Sequence, residues 1–145
     1  MRCVIQRVSH ASVLVNQVPI GCIKDGLLVL VAIHTNDTEK SITKMAEKII
    51  NLRIFEDQNE KMNKSVLDIK GEILLVSQFT LYGDCAKGNR PSFISAAAPD
   101  KAKRYYEELI KILESKNIKI QTGQFQSRMK IELVNEGPTT IIIET

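Results

Sequence analysis

Leu27 to Ile33 is the longest stretch of this chain without a polar side chain. Seven consecutive apolar residues do not suit a strand with one face in water, so the run reads as a strand buried inside the protein, turned in by Asp25-Gly26. Ile73-Leu74-Leu75-Val76 is a second run of the same kind. Neither approaches membrane-spanning length. The first twenty residues hold no apolar stretch of signal-peptide length, so a soluble, cytoplasmic protein is expected.

The remaining elements follow from periodicity and turn residues. Arg2 to Ser9, Ala11 to Val15 and Val18 to Lys24 read as strands, with a turn at Asn16-Gln17, and form a meander closing on the Leu27 strand. After Asp37 or Thr38 as N-cap, Ile42, Met45, Ala46, Ile49 and Ile50 recur at helical spacing. Leu52 to Phe55 reads as a strand, Glu56 to Lys64 as a polar loop, and Glu72 to Leu81 as one long strand. Ala98-Pro99-Asp100 opens a second helix with inner face Ala102, Tyr105, Tyr106, Leu109, Ile112 and Leu113, ending near Asn117. Ile118 and Ile120 alternate with lysines. Phe125 to Val134 and Thr139 to Ile143 are two further strands on either side of a Gly-Pro turn. At 145 residues and 43% hydrophobic the chain is expected to be one domain, residues 1–145, with a mixed sheet and two main helices on one side.

Two segments carry most of the functional information and read as halves of one site. Ser77-Gln78-Phe79-Thr80-Leu81 places polar groups where a buried strand ends. Asn135-Glu136-Gly137-Pro138-Thr139-Thr140 interrupts a strand pair, and its proline removes a backbone donor while lowering the cost of a cis bond to about 0.5–1 kcal/mol. A cis Gly137-Pro138 bond would point two neighbouring carbonyl oxygens the same way. Next to the first segment, Lys87 and Arg90 lie in a loop with Gly83 and Gly88 and can reach phosphate oxygens, or else form a solvated loop. Phe79 and Phe93 can stack on a base or belong to the core.

Several chemistries lack their residues. The only histidines, His10 and His34, have no second ligand at metal-binding spacing. No GxSxG elbow supports a Ser77 or Thr80 nucleophile, and the loop Gly83 to Arg90 lacks the Walker pattern. Three cysteines, Cys3, Cys22 and Cys85, are odd in number and without CxxC spacing, which fits reduced thiols. The net charge of +3 tolerates a polyanion without announcing one.

The chain resembles the D-aminoacyl-tRNA deacylases along its whole length. The resemblance is carried by Met1-Arg2-Cys3-Val4-Ile5-Gln6-Arg7-Val8, Gly26 to Val31, Ser77 to Leu81, Lys87-Gly88-Asn89-Arg90-Pro91-Ser92-Phe93, Thr122-Gly123-Gln124-Phe125 with Met129, and Asn135 to Thr140, all in family order. Gln126 and Ser127 depart from the usual Gly and Ala, and Thr139 from the usual Val. What the resemblance implies is an α/β fold, a three-layer α/β/β sandwich, in a cytoplasmic homodimer. It further implies hydrolysis of the ester between a D-amino acid and the 3′ terminal adenosine of tRNA, with no metal or organic cofactor and no membrane partner. Ser77, Gln78, Phe79 and Thr80 would form the catalytic segment, Gln78 and Phe79 supplying amide donors. Gly137 and Pro138, cis and inserted from the partner subunit, would select chirality. Arg7, Lys87, Arg90, Phe125 and Met129 would bind tRNA or brace the site, Arg7 bracing the Gly-Pro segment unless it is an ordinary strand-surface cation. Thr80 is expected to orient substrate, with a covalent role as the lesser alternative. Two rival readings are a nucleic-acid-binding module without catalysis and a Thr80 or Ser77 hydrolase of small esters.

Overall fold

The computed structural model describes residues 1–145. The two apolar runs become β3 (Gly26–Ala32) and β6 (Glu72–Ser77), which pair in parallel with Leu27 opposite Ile73 and Val31 opposite Ser77. Their side chains divide by parity, as the pleat requires. Leu27, Val29, Val31, Ile73 and Leu75 enter a core shared with Ile42, Met45, Ile49, Tyr106 and Leu109. Leu28, Leu74 and Val76 point the opposite way, into a second core with Val8, Ala11, Val13 and Ile23. With both faces covered, these strands have no use for polar alternation.

Parallel neighbours need crossovers. One carries α1 (Glu39–Asn51) and the short hairpin of β4 (Phe55–Glu56) and β5 (Met62–Lys64). The other carries α2 (Pro99–Glu114) and ends in β7 (Lys119–Thr122), which adds to β6 in parallel. The apolar spacing identified the buried face of α1 residue for residue, Ile42, Met45, Ala46, Ile49 and Ile50. Its N-cap is Thr38, whose N–H donates to Ser41 Oγ at 3.2 Å. In α2, Tyr105, Tyr106, Leu109 and Leu113 are buried, while Ala102 and Ile112 pack at the margin.

The remaining layer comes from β1 (Arg2–Val15). Arg2 to Val8 pairs with β3, whereas Ala11 to Val15 pairs with β2 (Val18–Ile23) on the same edge. On the opposite edge β8 (Met129–Glu144) accompanies β1 from Val15 to Arg2. The outer half of β1 therefore packs over β3 and β6 across the second core, giving the α/β/β order.

Four expectations are corrected. Arg2 to Val15 is one strand rather than two, because β8 holds its whole length. Leu52 to Phe55 is not a strand; the chain pairs later, in a hairpin inside the expected polar loop, closed by Asp57 Oδ1 accepting from the N–H groups of Asn59 and Lys61. The Glu72 strand stops at Ser77, where its last partner on β3, Val31, is reached, and Phe79–Tyr82 forms a 3-10 turn. Gly137-Pro138 is a bulge within one strand, not a turn between two: Gln6 faces Thr140 and Val8 faces Asn135, so Glu136 to Thr139 share the space opposite Arg7.

Candidate active site

The three parallel strands β3, β6 and β7 end on one side of the sheet, the side on which open α/β sheets form ligand crevices. A cleft of about 810 Å³ opens there. Ser77, Gln78 and Phe79, Phe125 to Met129, and Ala98 and Pro99 at the start of α2 are among the residues that line it. Its size suits a nucleoside-sized ligand. Phe79 is 55% exposed and meets Phe93 edge-on, with ring centroids 5.1 Å apart, so the pair belongs to the cleft and not to the core. Behind Phe125, at 6.1 Å, lies Tyr106, whose hydroxyl donates to Leu75 O at 2.7 Å. Burial pushes that phenol up, so Tyr106 stays neutral and acts as a peg under the strand end.

The local backbone decides which donors the first segment can offer. Gln78 N–H donates to Val31 O at 2.8 Å, so it continues the ladder and is not free to meet a substrate. Of the implied donor pair, the Gln78 N–H is thus already engaged within the sheet. Within the following turn, Leu81 N–H reaches Gln78 O and Gly83 N–H reaches Thr80 O. The N–H groups of Phe79 and Thr80, at the start of that turn, have no acceptor inside it. The Gln78 side-chain amide donates to Thr80 Oγ1. No base accompanies these hydroxyls: His10 is exposed on β1, and His34 accepts from Asn36 N–H at Nδ1 while its ring lies 5.1 Å from Tyr82. Neither histidine lines the cleft, nor does any carboxylate. No cluster of three or more His, Cys, Asp and Glu side chains is gathered for a metal ion.

Arg2 grips the turn from behind. Its Nη1 donates to Leu81 O at 2.7 Å, its guanidinium sits 4.9 Å from the Tyr82 ring centroid, and Nε pairs with Glu144. Sequence reading missed this role, because nothing in the pattern of a first strand says that its first cation will meet a turn 79 residues later. Lys87 and Arg90 lie in a small hairpin closed by reciprocal 2.8 Å bonds between Asp84 and Ser92, immediately before Phe93. Both are exposed and neither joins an ion pair.

The second segment lies elsewhere. The Gly137–Pro138 bond is cis, and Gly137 has φ +115°; a Cβ there would sit 2.5 Å from Thr139 Oγ1 and 2.8 Å from Arg7 Nη2, so glycine is required. Arg7 is only 9% exposed and is no strand-surface cation. Its Nη1 donates to Ile54 O at 2.7 Å, Nε to Glu136 O at 3.3 Å, and Nη2 meets Glu56 Oε1 at 3.4 Å. Asn135 Oδ1 accepts from Thr139 N–H at 2.8 Å and closes the bulge. Arg7 lies opposite Leu27, which lies opposite Ile73; Ser77 is four residues farther on. With about 3.3 Å per residue and about 4.8 Å per strand over three strands, the bulge is about 20 Å from Ser77. One protomer does not bring the two halves together.

A family model described as D-Tyr-tRNA(Tyr) deacylase matches residues 4–144. A D-aminoacyl-tRNA deacylase of Thermotoga petrophila is 52% identical, covering 100% of this chain and 97% of its own. One from Clostridium botulinum is 50% identical with the same coverage. A solved structure described as c-Myc DNA Unwinding Element Binding Protein has a TM-score of 0.94 at 40% identity, covering 100% of this chain and 99% of the other. Another, described as a probable eukaryotic D-amino acid tRNA deacylase, shares the fold with a TM-score of 0.86 at 18% identity, covering 99% and 98%. With the family model spanning almost every residue, and relatives identical at about half of all positions from end to end, the chain belongs to the D-Tyr-tRNA(Tyr) deacylase family.

Proposed function

We propose that this protein is a cytoplasmic homodimer that hydrolyses the ester between a D-amino acid, or achiral glycine, and the 3′ terminal adenosine of tRNA. The observation that carries the proposal is the cleft at the ends of β3, β6 and β7: it is lined by Phe79, Phe93 and Phe125, polar at Ser77 and Gln78, and without a histidine or carboxylate in its lining. The terminal adenine stacks against Phe79 and Phe93, with Phe125 and Met129 opposite. The aminoacyl ester is already activated and has a neighbouring ribose hydroxyl to assist. What the protein must add is stabilisation of the oxyanion, which the Phe79 and Thr80 N–H groups can provide; losing one such donor typically costs about 3–4 kcal/mol. Thr80 orients the ester through its contact with Gln78.

Chiral selection is assigned to the Gly137-Pro138 bulge of the partner subunit. Two features support insertion in trans: the separation of about 20 Å within one protomer, and the outer edge of β8, which pairs with β1 alone and leaves a 16-residue strand open to a second copy. With the α-amino group and the ester both held, exchanging hydrogen and side chain at the stereocentre drives an L residue into rigid backbone, whereas D residues and glycine fit. Matched D-, L- and glycyl-tRNA test this directly: release of D-amino acid and glycine with L-aminoacyl-tRNA intact is expected, and equal hydrolysis of D and L would refute the filter.

The 40% identical structure described as binding a DNA element favours a second reading, a nucleic-acid-binding module without catalysis. It predicts tight association with DNA or RNA and no ester cleavage in the same assay.

A further inference from the structure

Beside Ser77 and Gln78, the cleft lining holds three more polar residues, Gln126, Ser127 and Arg128, to which the sequence assigned no role. After β7, Gly123 N–H reaches Leu75 O and Ser127 N–H reaches Gln124 O at 3.2 Å, folding residues 124–128 into a turn that lines the same cleft as Phe79 and Phe93. Gln126 sits there at φ +59°, in the left-handed region that L side chains other than Asn and Asp rarely occupy. Each of the other non-glycine residues with positive φ lies outside the cleft lining; Gln126 is the one that belongs to it. A strained backbone beside a cleft points to a use for the side chain it carries. Two residues on, Arg128 is the only ionisable side chain among the lining residues, is exposed, and pairs with no carboxylate.

We propose that Gln126 and Arg128 form a backbone-anchoring rim for the single-stranded 3′ end of the RNA. Arg128 binds the phosphodiester on the 5′ side of the terminal nucleoside, and the Gln126 amide hydrogen-bonds the sugar or base edge beside it. The inference rests on the proposed function for the identity of the ligand. The chemistry fits a single strand: the cleft lining offers aromatic rings for stacking together with a cation and an amide for the backbone. Phosphate contacts of this kind set register without reading sequence, as a site serving many tRNAs needs. Lys87 and Arg90, on the hairpin leading into Phe93, supply charge on the other side.

The test uses an uncharged RNA hairpin with a single-stranded ACCA end, so that binding is measured apart from hydrolysis. For Arg128→Gln the slope of log K against log salt should fall by about 0.7, so the deficit relative to the parent shrinks about 2.5-fold between about 50 and about 200 mM salt. Gln126→Gly relieves the left-handed backbone, so Tm should hold or rise while RNA binding weakens several-fold. A residue serving only the fold would show the reverse. With charged substrate both changes should raise KM and move kcat little. An unchanged salt slope for Arg128→Gln, or unchanged affinity for Gln126→Gly, overturns the assignment of that residue. A parent that binds the hairpin yet cleaves no D-aminoacyl ester would refute the proposed reaction and leave the rim standing.

Discussion

Removing Arg7 should uncouple the Gly137-Pro138 bulge from the fold, and the contacts set the size of the effect. The short bond to Ile54 O is made by a charged donor to a carbonyl in a protected place and is worth about 1.5–3 kcal/mol. The 3.3 Å bond to Glu136 O adds about 0.5–1 kcal/mol. The pair with Glu56, whose side chain is 50% exposed, adds at most about 0.5 kcal/mol. Because the guanidinium was itself costly to bury, the net loss for Arg7→Ala should be about 2–4 kcal/mol. With a urea slope of about 2 kcal/mol per M, the midpoint should drop by about 1–2 M, measured at fixed protein concentration since association raises apparent stability. Arg7→Lys should recover only part of this: a single ammonium cannot serve Ile54 O and Glu136 O together as a forked guanidinium does. Release of Glu136 O should also loosen the bulge, so the D-to-L rate ratio should fall even where Arg7→Lys remains folded. A midpoint within about 0.3 M of the parent for Arg7→Ala, with an unchanged D-to-L ratio, would refute the view that this arginine ties the bulge to the β4–β5 hairpin.

Three further outcomes are expected. Lys87→Ala with Arg90→Ala should weaken tRNA binding and flatten its salt slope by about 1.4 units if each meets one phosphate of a single strand, and an unaltered slope would return the hairpin to plain solvent exposure. Thr80→Ala should keep measurable D-aminoacyl-tRNA hydrolysis, while substrate lacking the 2′ hydroxyl suffers more; an acyl group trapped on Thr80 or Ser77 would instead establish covalent catalysis. Glu72 is held below the usual carboxylate range, first by Lys119 Nζ at 2.7 Å and then by Lys24 N–H at 3.0 Å. A depressed folded-state value stabilises above the unfolded pKa of about 4.3 and is lost as pH falls through the folded one, so Glu72→Gln should cost about 1 kcal/mol at pH 7 and close to nothing at the acid end of a urea series, where a persisting gap would contradict it.

Elements whose signal is local were legible in the sequence. The buried face of α1 and the two apolar runs came through because periodicity and parity act over a few neighbouring residues. Asn16-Gln17 turned as expected, with φ of +50° and +66°. Boundaries set by distant partners did not come through. Ser77 ends its strand where pairing with β3 ends at Val31, and β1 runs unbroken past Ser9 because β8 lies alongside it. The same limit governs the site. Residue types marked Ser77 to Thr80 as polar groups at a strand end, but that Gln78 N–H is taken by Val31 depends on register between two strands. Arg2 and Arg128 carried no local mark at all, being ordinary cations until the fold brings one to the back of the turn and the other to the mouth of the cleft.

In the proposed mechanism rate and selectivity reside in different pieces of backbone, and that division has a physical reason. A cleft without a base needs its oxyanion donors fixed, so the Phe79–Tyr82 turn is pinned by Arg2 at Leu81 O and by the ladder bond from Gln78 to Val31. A filter that works by steric rejection needs rigidity too, but not at the reacting atoms. The Glu136 to Thr139 bulge obtains it from Arg7 and Asn135, on a different stretch of sheet. If the two meet only across a dimer, loosening the bulge admits the wrong stereoisomer and leaves the donors in place, whereas disturbing the turn slows both isomers alike. D- and L-substrate rates measured on one pair of variants, Arg7→Lys and Arg2→Met, separate these cases: the first should compress the ratio between isomers, and the second should lower the D rate with the ratio preserved. The same change in both variants would mean that one element performs both tasks.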